Sequence, residues 1–236
     1  MRFAALVVVC LMLVPTSAHA ETLVFKASQA GKETLDQGEG GGNPFASSLI
    51  EILSRPSARL GDLPAELRRL TLAKSRDFQL PDVPPQAPPE DWALVPAKSG
   101  ELRKALVLVV SDYAKSGGAP SLPGVAHDAS RVAAALSKVG FATEIAIDLD
   151  LFAMRRRLDA FASETKNADA AVIYTTGHGV EVGAKIYLVP GGYPIAEGNR
   201  SLADKALPLP EIAAAVRARR INLVFYGGCR NDPLAP

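Results

Sequence analysis

The chain has 236 residues, and its 26 Lys and Arg nearly balance its 25 Asp and Glu, for a net charge of +1. Neither a basic tract nor an aromatic platform is present, so the composition excludes the usual nucleic-acid binders. Only two cysteines occur, Cys10 and Cys229, too few to staple a small secreted scaffold, so the chain must rely on an ordinary hydrophobic core.

Residues 1–20 read MRFAALVVVCLMLVPTSAHA. Arg2 precedes an apolar run from Ala4 to Val14, and small residues close the segment at Ala18-His19-Ala20. This is the pattern of a secretory signal, with cleavage expected after Ala20 and export to the periplasm or the extracellular space. The apolar run is short for a bilayer span, so lasting membrane insertion is not expected after cleavage. Cys10 follows three valines rather than the small residue that lipid attachment needs. Removing the segment takes away Arg2, Cys10 and His19, which leaves a formally neutral chain with one cysteine and two histidines, His127 and His178.

Residues 21–80 read as a leader or prodomain-like region. LVF near its start gives way to a polar, glycine-rich stretch around GEGGGNP that reads as flexible. FASSLIEILS (45–54) and LPAELRRLTLAK (63–74) predict short helices, the second with Pro64 in its first turn. The proline-rich stretch LPDVPPQAPPEDW follows, and residues 81–100 read as an extended linker, because proline lacks a donor and fixes φ.

From about residue 101 strands alternate with helices. KALVLVV predicts a strand buried on both faces. The helix DASRVAAALSKVG carries Val132, Leu136 and Val139 on one side, with Gly140 at its C-terminal end. FATEIAIDL predicts a second strand. DLFAMRRRLDAFASE predicts a helix with Phe152, Met154, Leu158 and Phe161 turned inward. AAVIYTT is a third strand and KIYLVP a short fourth. Leu209–Arg220 is expected as a helix closed by basic residues, and INLVFY as the last strand. Such alternation predicts an α/β fold around a mostly parallel, helix-covered sheet.

In such sheets ligands bind beyond the carboxyl ends of the strands. His178 follows AAVIYTT and Cys229 follows INLVFY, so both emerge at the same sheet edge. A cysteine at such a position can be a small buried hydrophobe. Beside an imidazole it can also be a nucleophile. The imidazole accepts the thiol proton, the thiolate attacks a carbonyl, and the same histidine protonates the leaving group. Gly177 and Gly179 are expected to leave room for a substrate backbone, and Gly228 to let the chain turn before the thiol. The N–H groups of Gly179 and Cys229 are candidates to face an oxyanion.

RKALVLVV, LPGVAHDASRVAAAL, YTTGHGV, KIYLVP and LVFYGGCRNDP together resemble the caspase-like cysteine peptidases, the C14 family with its p20 domain. The likeness is closest to bacterial metacaspase and orthocaspase members. It covers residues 103–236, within a catalytic domain taken as 101–236. The His-to-Cys separation of roughly 50 residues suits that family. The resemblance implies a three-layer α/β/α fold and peptide-bond cleavage by a Cys/His dyad, with Cys229 as nucleophile and His178 as base and leaving-group acid. It implies a peptide or protein substrate and neither cofactor nor metal.

By the same resemblance, Asp128 and Thr176 line the pocket for the substrate side chain. Gly227 stands where relatives that cut after Arg or Lys carry a second aspartate. That implies a weakened preference for Arg or Lys, with empty volume at position 227. Asp128 also has a simpler reading, as an N-cap or first-turn acid. His127 reads as a loop or cap histidine. Family members continue past the cysteine strand, so the domain reads as truncated there, to be completed by a further segment or a second chain. Otherwise LVFYGG lies nearer a sheet edge with apolar surface poorly covered. The alternative to a peptidase is a catalytically weak domain that serves as a protein-binding or regulatory module.

Overall fold

The computed structural model describes residues 20–38, 41–85, 92–115 and 118–235. Most of the expected signal segment lies outside them, as do residues 86–91 of the proline-rich stretch.

The centre is a five-stranded, all-parallel sheet in the order β1-β10-β6-β4-β5. Its strands are β1 (Thr22–Lys26), β4 (Arg103–Val109), β5 (Phe141–Ile147), β6 (Ala170–Thr176) and β10 (Ile221–Tyr226). Two short strands, β2 (Ala58–Arg59) and β3 (Ala93–Val95), pair apart from it. A small antiparallel sheet holds β7 (Gly179–Val182), β8 (Lys185–Leu188) and β9 (Leu207–Pro208). The helices are α1 (Pro44–Ser54), α2 (Leu63–Lys74), α3 (Pro123–Lys138), α4 (Leu151–Thr165), α5 (Leu202–Lys205) and α6 (Leu209–Ala213).

Every residue of β6 and β10 is buried, as continuous apolar runs in a covered parallel sheet require. One sheet face packs Ala105, Val107, Val172, Leu223 and Phe225 against α1, α2 and α3. The other packs Leu106, Leu108, Ile173 and Val224 against α4, α6 and the small sheet. The result is three layers.

The stretch that reads as a flexible leader starts instead with an integral strand. β1 pairs with β10 from Thr22↔Asn222 to Lys26↔Tyr226. Phe25 stacks on Phe225 with ring centroids 5.1 Å apart, and Phe45 of α1 packs on the same ring. LVFYGG is therefore not at an edge, since β1 covers its free side. The linker also starts tied down. Lys26 N–H donates to Asp82 O at 2.8 Å, and Asp82 N–H donates back to Lys26 O at 2.9 Å. The linker's later residues are tied down too, because Arg103 is buried between the rings of Trp92 and Phe141 and donates to Leu94 O at 2.7 Å.

Other expectations also change. Phe152 is 70% exposed, because the buried stripe of α4 runs through Met154, Leu158, Phe161 and Ala162, and Phe152 lies off it. α6 stops after five residues rather than reaching Arg220. The N–H groups of Arg217, Ala218, Arg219 and Arg220 go to Thr165 Oγ1, Asn222 Oδ1, Ala168 O and Asp169 O, so they are unavailable to a helix. KIYL is β8, outside the main sheet. It pairs with β7 through Gly183 and Ala184, both at positive φ, as a two-residue hairpin turn demands. α3 begins at Pro123, so Asp128 lies in its second turn and does not cap it.

Candidate active site

β6 and β10 are parallel neighbours, with Thr175 opposite Tyr226. His178 stands just past the end of β6 and Cys229 just past the end of β10. Both line a cavity of about 360 Å³ whose walls include Ala119, Pro120, Val180, Val189, Ile195 and Leu234. Val180 and Val189 belong to the α4 side of the sheet.

His178 is half-buried and well held. Its Nε2 lies 2.8 Å from Pro120 O. A carbonyl only accepts, so Nε2 carries the proton and Nδ1 is left as the acceptor. The backbone N–H of His178 donates to the hydroxyl of Tyr113 at 2.8 Å, and that hydroxyl donates to Val189 O at 2.9 Å. The Tyr113 ring meets the imidazole edge-on, centroids 4.4 Å apart. Burial pushes the Tyr113 phenol well above its ordinary pKa, against the pull of the His178 N–H, so it stays a neutral hydroxyl.

The two glycines beside His178 serve close packing rather than open space. A Cβ on Gly177 would meet Tyr113 Oη at 2.8 Å and Val110 O at 3.0 Å. One on Gly179 would overlap Tyr226 Oη and the carbonyl of Cys229. Val189 N–H donates to His178 O at 2.9 Å, which makes Gly179 and Leu188 a non-hydrogen-bonded pair of the hairpin. The Gly179 N–H therefore points away from β8. Two residues on, Glu181 N–H donates to Asn231 O at 3.2 Å, so this side of β7 faces the cysteine loop.

The half-buried thiol of Cys229 is in contact with residues far away in sequence. Thr34 N–H donates to Sγ at 3.3 Å, and Thr34 Oγ1 lies 3.4 Å from Sγ. Thr34 Oγ1 also donates to Gly227 O at 3.3 Å. Among the described residues no hydrogen bond joins Cys229 to His178.

Asp128 is buried on the other face of the sheet, at 1% exposure. Oδ2 accepts the N–H of Asn43 at 2.7 Å, and Oδ1 pairs with Arg131 Nη1 at 3.0 Å. Burial pushes its carboxyl above the ordinary value, against the pull of the Asn43 N–H and Arg131. Both oxygens are thus engaged within the chain. Tyr174 lies near it, and its buried hydroxyl has no hydrogen-bond partner among the described residues. The expected empty volume at Gly227 is absent. A Cβ there would stand 2.8 Å from Thr176 Oγ1, 2.9 Å from Thr176 Cβ and 3.3 Å from Tyr174 Oη. His127 lies within α3, not in a loop or cap. Sequence reasoning missed Thr34, Asn43, Tyr113, Pro120 and Tyr174. Only Tyr174 left a signal, since strand periodicity puts it on the same face as Thr176.

A thiol and an imidazole at the ends of adjacent parallel strands, beneath three layers, define a caspase-like α/β protein. The family model described as "Caspase domain" matches residues 102–231, more than half of the chain. The chain belongs to this family of cysteine peptidases. A search of curated proteins returned no match.

Proposed function

We propose that the protein is a cysteine-type endopeptidase in which Cys229 and His178 act as a dyad. The observation that carries this reading is the shared cavity at the ends of β6 and β10, with His178 Nε2–H held on Pro120 O. Nδ1 accepts the thiol proton, and the thiolate attacks the substrate carbonyl carbon. The negative charge moves to the carbonyl oxygen, towards the N–H groups of Gly179 and Cys229. His178 then returns its proton to the departing amine. Water, deprotonated by the same imidazole, cleaves the acyl-enzyme and restores the thiol.

Preference for Arg or Lys before the cleaved bond is weakened in this reading. Asp128 faces Asn43 and Arg131 rather than open space, and Gly227 brings no second carboxylate. The reading also includes export. Residues 1–20 direct secretion, and cleavage leaves Glu21 first. N-terminal sequencing of secreted protein tests this, and an intact Met1 overturns it.

A second reading, a weakly active domain that binds proteins, draws on the engagement of the thiol by Thr34. A thiol-reactive peptide probe separates the two. Labelling at Cys229 that disappears in His178→Ala supports the peptidase, as does loss of peptide hydrolysis in both Cys229→Ala and His178→Ala. Undiminished hydrolysis by purified Cys229→Ala would sink it.

A further inference from the structure

The described chain between β1 and α1, residues 27–38 and 41–43, crosses the mouth of the site. It is anchored at both ends and in the middle. At the start, Arg230, itself buried, donates from Nη1 to Ser28 O at 2.9 Å and to Asp82 Oδ2 at 2.7 Å. Its backbone N–H donates to Lys32 O at 2.8 Å, and its carbonyl accepts from Gly31 N–H at 3.1 Å. Next, Asn231 Nδ2 donates to Glu33 Oε1 at 2.9 Å. Thr34 then covers Sγ through its N–H and hydroxyl, and Leu35 N–H donates to Gln79 Oε1 at 3.1 Å. At the far end, Asn43 binds Leu35 O through Nδ2, caps α1 through Oδ1 and gives its own N–H to Asp128.

The direction of travel matters. Glu33 borders the cavity beside His178, on the α4 side of the sheet. Thr34 lies on the sulfur. Asn43 reaches Asp128, on the α3 side. A substrate whose side chain points to Asp128 and whose leaving amine lies by His178 runs from the α3 side to the α4 side. The chain across the site runs the other way. It gives the sulfur the Thr34 N–H at 3.3 Å, and the thiol reaches the Thr34 carbonyl oxygen at 3.9 Å.

We propose that residues 28–38 and 41–43 form an autoinhibitory strap, lying across the cleft in reverse polarity, that closes Cys229 and Asp128 together. The strap competes with substrate for both ends of the cleft, and its release uncovers both at once. Its effect on hydrolysis rests on the dyad reading; its position over the thiol does not.

The test uses the full chain carrying Cys10→Ala, so that Cys229 is its one native thiol, and reads thiol chemistry first. In Thr34→Cys the new sulfur stands where Oγ1 now lies 3.4 Å from Sγ, so a small shift reaches the disulfide bond length of about 2.0 Å. Diamide should convert both thiols into one internal disulfide, seen as a mass loss of two hydrogens and resistance to alkylation. Two freely alkylated thiols in folded, diamide-treated protein overturn the proposal. Independently, Thr34→Gly removes both hydroxyl contacts and should speed alkylation of Cys229 by iodoacetamide about tenfold, while Thr34→Ser keeps the native rate. Equal rates in all three proteins overturn it. If Thr34→Gly is alkylated faster yet hydrolyses no peptide, the strap stands and the peptidase reading falls.

Discussion

Tyr113 holds the turn that carries His178: its hydroxyl accepts the His178 N–H at 2.8 Å and its ring braces the imidazole edge-on. The hydroxyl also donates to Val189 O, so one buried group satisfies a donor and an acceptor that would otherwise stand alone. Tyr113→Phe leaves both unpaired at little change in volume. It should cost about 1–3 kcal/mol of stability. With the imidazole less constrained, kcat should fall more than KM rises. Chemical denaturation and peptide kinetics check the two effects, and a variant with native values of both would show that the hydroxyl does not position His178.

Gly227→Asp is the substitution that family likeness suggests for restoring a basic-residue pocket. The structure points to a different result. Thr176 Cβ lies 2.9 Å from the Cβ position, and a backbone-linked atom cannot swing away as a long side chain does. The variant should lose about 1–3 kcal/mol through overpacking, without gaining preference for Arg over Gln peptides. A stable variant with a raised Arg-to-Gln ratio in kcat/KM contradicts this.

Gly42 tests the far end of the strap. A Cβ there would overlap the Asp128 carboxylate and stand 2.8 Å from Arg131 Nη1. Because Asp128 is buried and cannot retreat, Gly42→Ala should push the strap outward. Faster alkylation of Cys229 is the expected readout, and a native rate goes against coupling between the two ends.

Phe25→Ala measures whether β1 belongs to the core. Phe25 is 0% exposed and stacked on Phe225. Loss of such a ring costs about 3–5 kcal/mol, whereas truncating a residue in a detached leader costs nearly nothing. A shift in the urea midpoint decides between the two.

Asp82 carries a pH signature. Burial raises its carboxyl pKa, but the ammonium of Lys26 and the guanidinium of Arg230, each 2.7 Å away, outweigh this and hold it below the ordinary 3.8. With the folded value lowered, the contribution is fully present above the unfolded pKa. It is lost as pH falls from there through the folded value. Asp82→Asn should therefore flatten the acid limb of the stability profile below about pH 4. Parallel acid limbs in native and variant protein would show that Asp82 does not carry this linkage.

The sequence alone determined the elements whose signals are local. Period and composition along the chain revealed the buried strands around Val107, Ile173 and Val224, the helices α1 and α2, and the inward stripe of Met154, Leu158 and Phe161. The placement of His178 and Cys229 at one edge was also legible, because parallel strands share a direction and ligand sites lie beyond their carboxyl ends. Tertiary structure decided what depends on partners distant in sequence. TLVFK is too short to announce a sheet partner, and only the stacking of Phe25 on Phe225 makes it a core strand. The helix does not run on from α6 to Arg220 because distant acceptors, Ala168 O and Asp169 O, claim the backbone donors of Arg219 and Arg220. Thr34 on the thiol and Asn43 on Asp128 follow from the same cause: polar groups near the site satisfy one another across 195 and 85 residues of chain, and no spacing within either segment encodes that pairing.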